Sequence, residues 1–374
     1  MFKKLKKYIC KAIISLLLCF ISLPSTPQSR VEICVNKNVE LVMAMQVLSD
    51  MDSLLLSNGI SGFPLTTTLN FSLKNDYMAT FSPYMRSISI QYFNDIITKG
   101  FIFGRPLTTA LLSDEDFRLT NTCWIESLPS PPYPANYRLL VERFLEHAYH
   151  FKEISGFDAF FNARRLIYDS LVIAQQNKVP LEPLVGNIEK FFGRKLPGYH
   201  VVLVPLMWPG GMSLSSKEPC AAKYGETWIL LGPKQVVNGL PDFGTIDEYS
   251  SVVVHEFCHA FIAPLCDSYK EEIMHYKGLY APEQKVFKRN GIPDWFDAAN
   301  ELLTRAAEIL ISSDGDPDKT KKKLQYQSEN LGFRYLPTLV NAMDEYFIRQ
   351  RKSFEEAFPE IIKSLAEFSQ VSPK

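Results

Sequence analysis

The sequence predicts an α+β protein, and three observations carry that expectation. Two short apolar runs rich in β-branched residues, HVVLVPLM at 200–207 and TWILLG at 227–232, read as strands of one sheet. Apolar residues recur at helical spacing on either side of them, in 137–178 and from Thr245 onward. The 374-residue chain is 46% hydrophobic and 13% aromatic, enough for a large core and far from the composition of an intrinsically disordered chain. Its 40 basic and 41 acidic side chains leave no strongly basic surface, so a dedicated nucleic-acid binder is not expected.

The first 29 residues read as a signal peptide. Five lysines fall within residues 3–11, the apolar run AIISLLLCFISL follows from Ala12 to Leu23, and PSTPQS closes the segment. The run is shorter than the roughly 20 residues that span a bilayer. A short membrane anchor is the alternative, and Leu18 before Cys19 argues against an acylated cysteine. Removing the segment takes the five lysines with it and moves the formal net charge from −1 to −6. A secreted or periplasmic protein with no membrane span in the mature chain is expected. The five cysteines that remain (34, 123, 220, 258 and 266) are widely spaced, odd in number and contain no CxxC pair, so neither a thiolate zinc site nor a thioredoxin-like couple is indicated, and disulfides are permitted outside the cytoplasm but not demanded by the spacing.

Residues 30–130 form an N-terminal α/β region. VEIC alternates like a strand, the part after Asn38 has helical spacing, and SPYMRSISIQYFNDIITKG reads as helical up to Gly100. SLPSPPYPA at 127–135, with four prolines, cannot be regular interior structure and separates this region from a second domain, 131–374. That domain opens with two amphipathic helices broken at Gly156. The PGG at 209–211 lacks the Lys-Ser/Thr of a nucleotide loop and reads as a turn.

The chemistry lies in HEFCH, an HExxH pattern at His255, Glu256 and His259. Residues four apart share a helix face, so both imidazoles can reach one metal ion while the adjacent glutamate is placed to take a proton from its water. Thr245 and Glu248 form a capping-box pattern that starts the helix, and Pro264 is expected to stop it. Its other positions are apolar on nearly every face, and ionisable groups set into such a helix need a partner. A catalytic zinc takes three protein ligands and keeps a position for water. The third could come from Glu271, Glu272, His275, Glu283, Glu301 or Glu308. Glu301 stands out because Pro293 can open a helix, DWFDAANELLTRAAEILI, whose apolar pattern brings it to core depth before Asp314-Gly315 ends it. The intervening segment, Cys266 to Ile292, reads as a long polar surface excursion.

HEFCH followed 42 residues later by the glutamate of AANELL resembles the zincin metallopeptidases of the thermolysin-like, glutamate-ligand (gluzincin) class. VVVHEFCHAF…NELLTRA also looks like a family of secreted Bacteroidetes proteins carried as a domain of unknown function with presumed peptidase activity. The resemblance implies a zincin-like fold, a small mixed sheet with an active-site helix and a second, ligand-bearing helix. It implies Zn2+ on His255, His259 and Glu301, with Glu256 as general base. It also implies that a strand placed like TWILLG is the edge that pairs with extended substrate. One departure is Arg305, where the class carries an aspartate that orients a zinc histidine. Asp297, Glu308 or a backbone carbonyl would then take that role.

The expected function is zinc-dependent endopeptidase action on peptide or protein substrates outside the cytoplasm. The tetrahedral oxyanion needs a donor, for which Tyr346, His275 and Tyr335 are candidates, with Tyr346 favoured. The competing expectation is a non-enzymatic binding module with a structural metal, in which His275 would close the fourth position.

Overall fold

The computed structural model describes residues 30–57, 64, 66–102, 104–120, 137–215 and 226–369. The expected leader, the proline-rich stretch at 127–135, Cys123 and Cys220 lie outside the described residues. Within them the chain is a mixed α+β fold, mostly helical around a small sheet. Strands β1 (Val31–Cys34), β2 (Gly198–Leu203), β3 (Gly210–Ser215) and β4 (Glu226–Gly232) lie in the order β1-β2-β4-β3. The first, second and fourth are parallel, with Val31 opposite Tyr199 and Val201 opposite Ile229. β3 runs antiparallel along β4, with Gly211 opposite Leu231.

Helices cover both faces of this sheet. Val202, Val204 and Leu230 point into a core built with helices Lys37–Leu48, Ile88–Ile97 and Tyr137–Ser155. Tyr199, Val201, Leu203, Ile229 and Leu231 point the other way, into a core shared with helices Leu181–Phe192, Ile246–Ser268 (the motif helix), Trp295–Ser313 (the ligand helix) and Phe354–Lys363. Burial on both faces explains why 200–207 reads as a continuous apolar run instead of an alternating one. β1, from the region before the proline-rich stretch, pairs with β2 and is pinned at its start. The Arg30 guanidinium makes two hydrogen bonds to Glu189 (2.7 and 3.1 Å), which also accepts from the Tyr199 hydroxyl at 3.2 Å.

Local signals place most element ends. Asn36 and Ser87 cap their helices through side-chain oxygens, and Gly156, at φ 64°, breaks the chain after Ser155. Five expectations are corrected. The second amphipathic helix after Gly156 is two, Phe157–Ala163 and Arg165–Lys178. The glycines at 210–211 open strand β3 and are not a turn, and TWILLG (β4) is therefore interior, flanked by β2 and β3. The 266–292 segment is largely helical, with Lys270–His275 and Tyr280–Arg289 seated by buried Ile273, Leu279 and Phe287. Pro264 lies inside the motif helix, which continues to Ser268 because Ile262 and Cys266 are buried on either side of it. Packing there outweighs the one backbone hydrogen bond a proline removes.

Cys34, Cys258 and Cys266 are free thiols. No helix of the described residues is long and apolar enough to cross a membrane.

The core beside helix Lys37–Leu48 contains a fully buried carboxyl group. Glu40 accepts from the Tyr77 hydroxyl at 2.7 Å, Tyr77 and Tyr168 share a 2.8 Å hydroxyl contact, and the second Glu40 oxygen has no partner. Burial pushes its pKa up from 4.5 to about 8. The fold therefore retains a proton that the unfolded chain releases, so this stabilisation is complete below about pH 4.5 and is lost as pH rises toward 8. Glu40→Gln, which keeps an acceptor for Tyr77, should flatten the pH dependence of unfolding free energy across that window by on the order of a few kcal/mol. Chemical denaturation at intervals from pH 4 to 9 measures it; a slope unchanged from the parent refutes the assignment.

Candidate metal site

The motif helix starts where the capping box predicts. The Thr245 hydroxyl accepts from the Glu248 amide at 3.4 Å and the Glu248 carboxylate accepts from the Thr245 amide at 2.9 Å. From there Val253, Val254, Phe257, Cys258 and Ile262 are buried against β3, β4 and the ligand helix. Each such side chain is worth roughly 1.5–3 kcal/mol in apolar burial. This packing fixes the rotation of the helix and turns His255, Glu256 and His259 toward one site.

The ligand helix begins two residues later than Pro293 predicts, at Trp295. Asp294 is its N-cap, accepting from the Asp297 amide at 3.0 Å, and Asp314 ends it in the left-handed conformation at φ 49°. Trp295, Ala298, Ala299, Leu302, Leu303 and Ala306 are buried, which brings Glu301 between them to the two histidines. The Nε2 atoms of His255 and His259 each lie 3.6 Å from a different oxygen of Glu301. Among the described residues these three are the group that could hold a metal ion, their ligand atoms all within 4.8 Å of one another. Two atoms bound at 2.0–2.1 Å in a tetrahedral shell stand about 3.3–3.4 Å apart, close to the two histidine–carboxylate distances, so the three groups are spaced to approach a single small cation.

Electrostatics agree with the geometry. Burial alone would raise the Glu301 pKa, but the Arg305 guanidinium, with Nε 2.7 Å from Oε1, and the two histidines hold it well below the usual carboxylate range. Burial would lower the pKa of His259, yet Glu301 draws it upward. The cluster thus favours positive charge between its members. Glu256 behaves in the opposite way. Burial raises its pKa, opposed by the neighbouring histidines, as suits a proton acceptor rather than a permanent ion. It lies directly beneath β3, where a Cβ at Gly211 would stand 2.6 Å from Glu256 Oε1.

The group that orients His259 is neither Asp297 nor Glu308. The Nδ1 of His259 lies 3.0 Å from Asn300 Oδ1 and 3.2 Å from the Thr304 hydroxyl. Protonated Nδ1 donating to Asn300 leaves Nε2 bare and facing Glu301. Asn300 is the neighbour of Glu301 in the NEL sequence, and that adjacency is the signal that could have marked it. Glu308 instead accepts from Ser251, Lys323 and Gln327.

Of the expected oxyanion candidates, His275 is not among the three groups that converge. His275 is exposed at the end of its short helix with its ring against Tyr276. Tyr346 is half-buried on the π-helix Met343–Arg349, whose Phe347 packs on Phe191 and Phe354. Tyr335 is fully buried and donates its hydroxyl to the Leu279 carbonyl at 2.8 Å, which makes it a structural anchor.

The contact between Gly211 and Glu256 yields a direct test. Gly211→Ala should destabilise the fold by about 1–3 kcal/mol through overpacking, and most of that cost should vanish in a Glu256→Ala background. A double-mutant cycle of unfolding free energies measures the coupling; additive effects would show that the strand does not rest on Glu256.

No curated protein and no solved structure matches the chain. A family model does, over residues 135–364, a range holding β2 to β4, the motif helix and the ligand helix. The chain belongs to the family described as Domain of unknown function (DUF4932).

Proposed function

We propose that the chain is a zinc-dependent peptidase of zincin-like fold that cleaves peptide or protein substrates outside the cytoplasm. The observation that carries this reading is the convergence of His255, His259 and Glu301 beside a buried glutamate that takes no part in the cluster. Zinc held by the three groups supplies Lewis-acid polarisation of a carbonyl and a water acidic enough to lose its proton near neutral pH. Glu256, its pKa raised by burial, accepts the proton of the attacking water and returns it to the leaving amine. Asn300 and Thr304 keep His259 in the tautomer that offers Nε2.

Substrate placement follows from the sheet. β3 has β4 on one side, and among the described residues no strand on the other. Its open edge runs past Glu256, so an extended peptide adding to that edge would carry its carbonyls across the cluster. The edge strand expected from the resemblance is thus β3, with β4 behind it. A structural metal, the competing reading, calls for a fourth side chain. Three converge here among the described residues, and His275 stands outside them. The exported location rests on the lysine-rich and apolar pattern of residues 1–29.

Metal analysis of residues 30–374 should find one zinc per chain, lost in His259→Ala and in Glu301→Ala. Glu256→Gln should keep the metal while cleavage of a peptide library falls about 10²–10⁴-fold. Asn300→Ala should weaken zinc binding by about 10–100-fold. Full zinc retention by Glu301→Ala, or peptide cleavage that survives both chelation and Glu256→Gln, overturns the reading.

A further inference from the structure

We propose that Arg305, locked in place by Gln327, is a positioning residue that occupies one oxygen of Glu301 and reserves the other for the metal; this rests on the zinc reading above. Arg305 lies one helical turn after Glu301, with Nε 2.7 Å from Oε1, and its side chain is 18% exposed. The Nε–H makes no hydrogen bond, so the contact is an ion pair, and a positive charge this close to one oxygen makes it a poorer metal ligand than its free twin. The clamp is itself fixed on two sides. The guanidinium lies 4.3 Å over the Phe333 ring, and Nη1 donates to Gln327 Oε1 at 3.2 Å.

Gln327 is 7% exposed, and its amide is matched at both ends. While its oxygen accepts from Arg305, its nitrogen donates to Glu308 Oε2 at 2.7 Å. The other Glu308 oxygen accepts from the Ser251 hydroxyl at 2.5 Å and from Lys323 at 3.2 Å. Ser251 sits one turn before His255 on the motif helix. The chain of contacts therefore runs from the ligand carboxylate, through Arg305, Gln327 and Glu308, back to the helix that carries the histidines. Glutamate at 327 would face Glu308 with a like charge, and an apolar residue would release Arg305. An amide is the group that serves a donor-only and an acceptor-only neighbour together.

Zinc affinity by chelator competition and the visible absorption of the Co2+-substituted protein, which reports coordination number, test the proposal on Gln327→Met and Arg305→Lys. Both variants should bind zinc about 10–100-fold more weakly and shift the cobalt spectrum toward the weaker bands of a five-coordinate ion, as Glu301 becomes free to bind through both oxygens. Lys323→Met, which touches only the far end of the chain of contacts, should lower the thermal midpoint and leave the cobalt spectrum unchanged. Zinc affinity within threefold of the parent and an unaltered cobalt spectrum in the first two variants overturn the clamp. So does a spectral shift in Lys323→Met equal to theirs. A parent protein that takes up neither zinc nor cobalt overturns the zinc reading itself.

Discussion

The packing of the motif helix against the ligand helix is the constraint on which the rest of the structure depends. Phe257, Cys258 and Ile262 are wholly buried on one, and Ala298, Leu302, Leu303 and Ala306 on the other. Small residues on the ligand helix let the two backbones approach, and the polar groups trapped between them must then satisfy one another. Leaving a carboxylate or imidazole at that depth without a partner costs several kcal/mol in order of magnitude. His259 meets Asn300 and Thr304, Glu301 meets both histidines and Arg305, and Glu308 meets Ser251, Lys323 and Gln327. Each of these groups thus has a protein partner, and the three that face one another, His255, His259 and Glu301, are the ones proposed to hold a metal.

The sheet supplies the second constraint. Its parallel strands are covered on both faces, so the helices before and after β2 are fastened to one scaffold, and the N-terminal strand β1 is an integral member. β3 alone is turned back as an antiparallel edge, where it crosses Glu256 at a distance that only glycine permits. The proposed base is therefore roofed by backbone, and the low-dielectric surroundings that raise its pKa are made by a strand whose sequence looks like a turn.

Much of this was legible along the chain. HEFCH set both histidines on one helix face because helical spacing is a local property, and the apolar faces around Glu301 announced its depth for the same reason. Capping by Thr245 and the stop at Asp314-Gly315 were local as well. The expectations that failed depended on neighbours distant in sequence. Gly210 and Gly211 are turn-forming residues but pair with Gly232 and Leu231 of β4, 22 and 20 residues away, and Gly211 lies where a Cβ would collide with Glu256. Pro264 has a strong intrinsic tendency to end a helix, overridden by the burial of Ile262 and Cys266.

The amino-acid sequence by itself determined the helix that presents His255, Glu256 and His259, the helix that carries Glu301, and the α+β class, because each is written in spacings of two to four residues. Tertiary structure alone decided which strand is the edge, that Asn300 rather than a carboxylate orients His259, that Arg305 is spent on Glu301, and that His275 is not among the three groups that converge. Those outcomes turn on the register between elements dozens of residues apart, and register is set by the packing of whole faces, which no short stretch of sequence encodes.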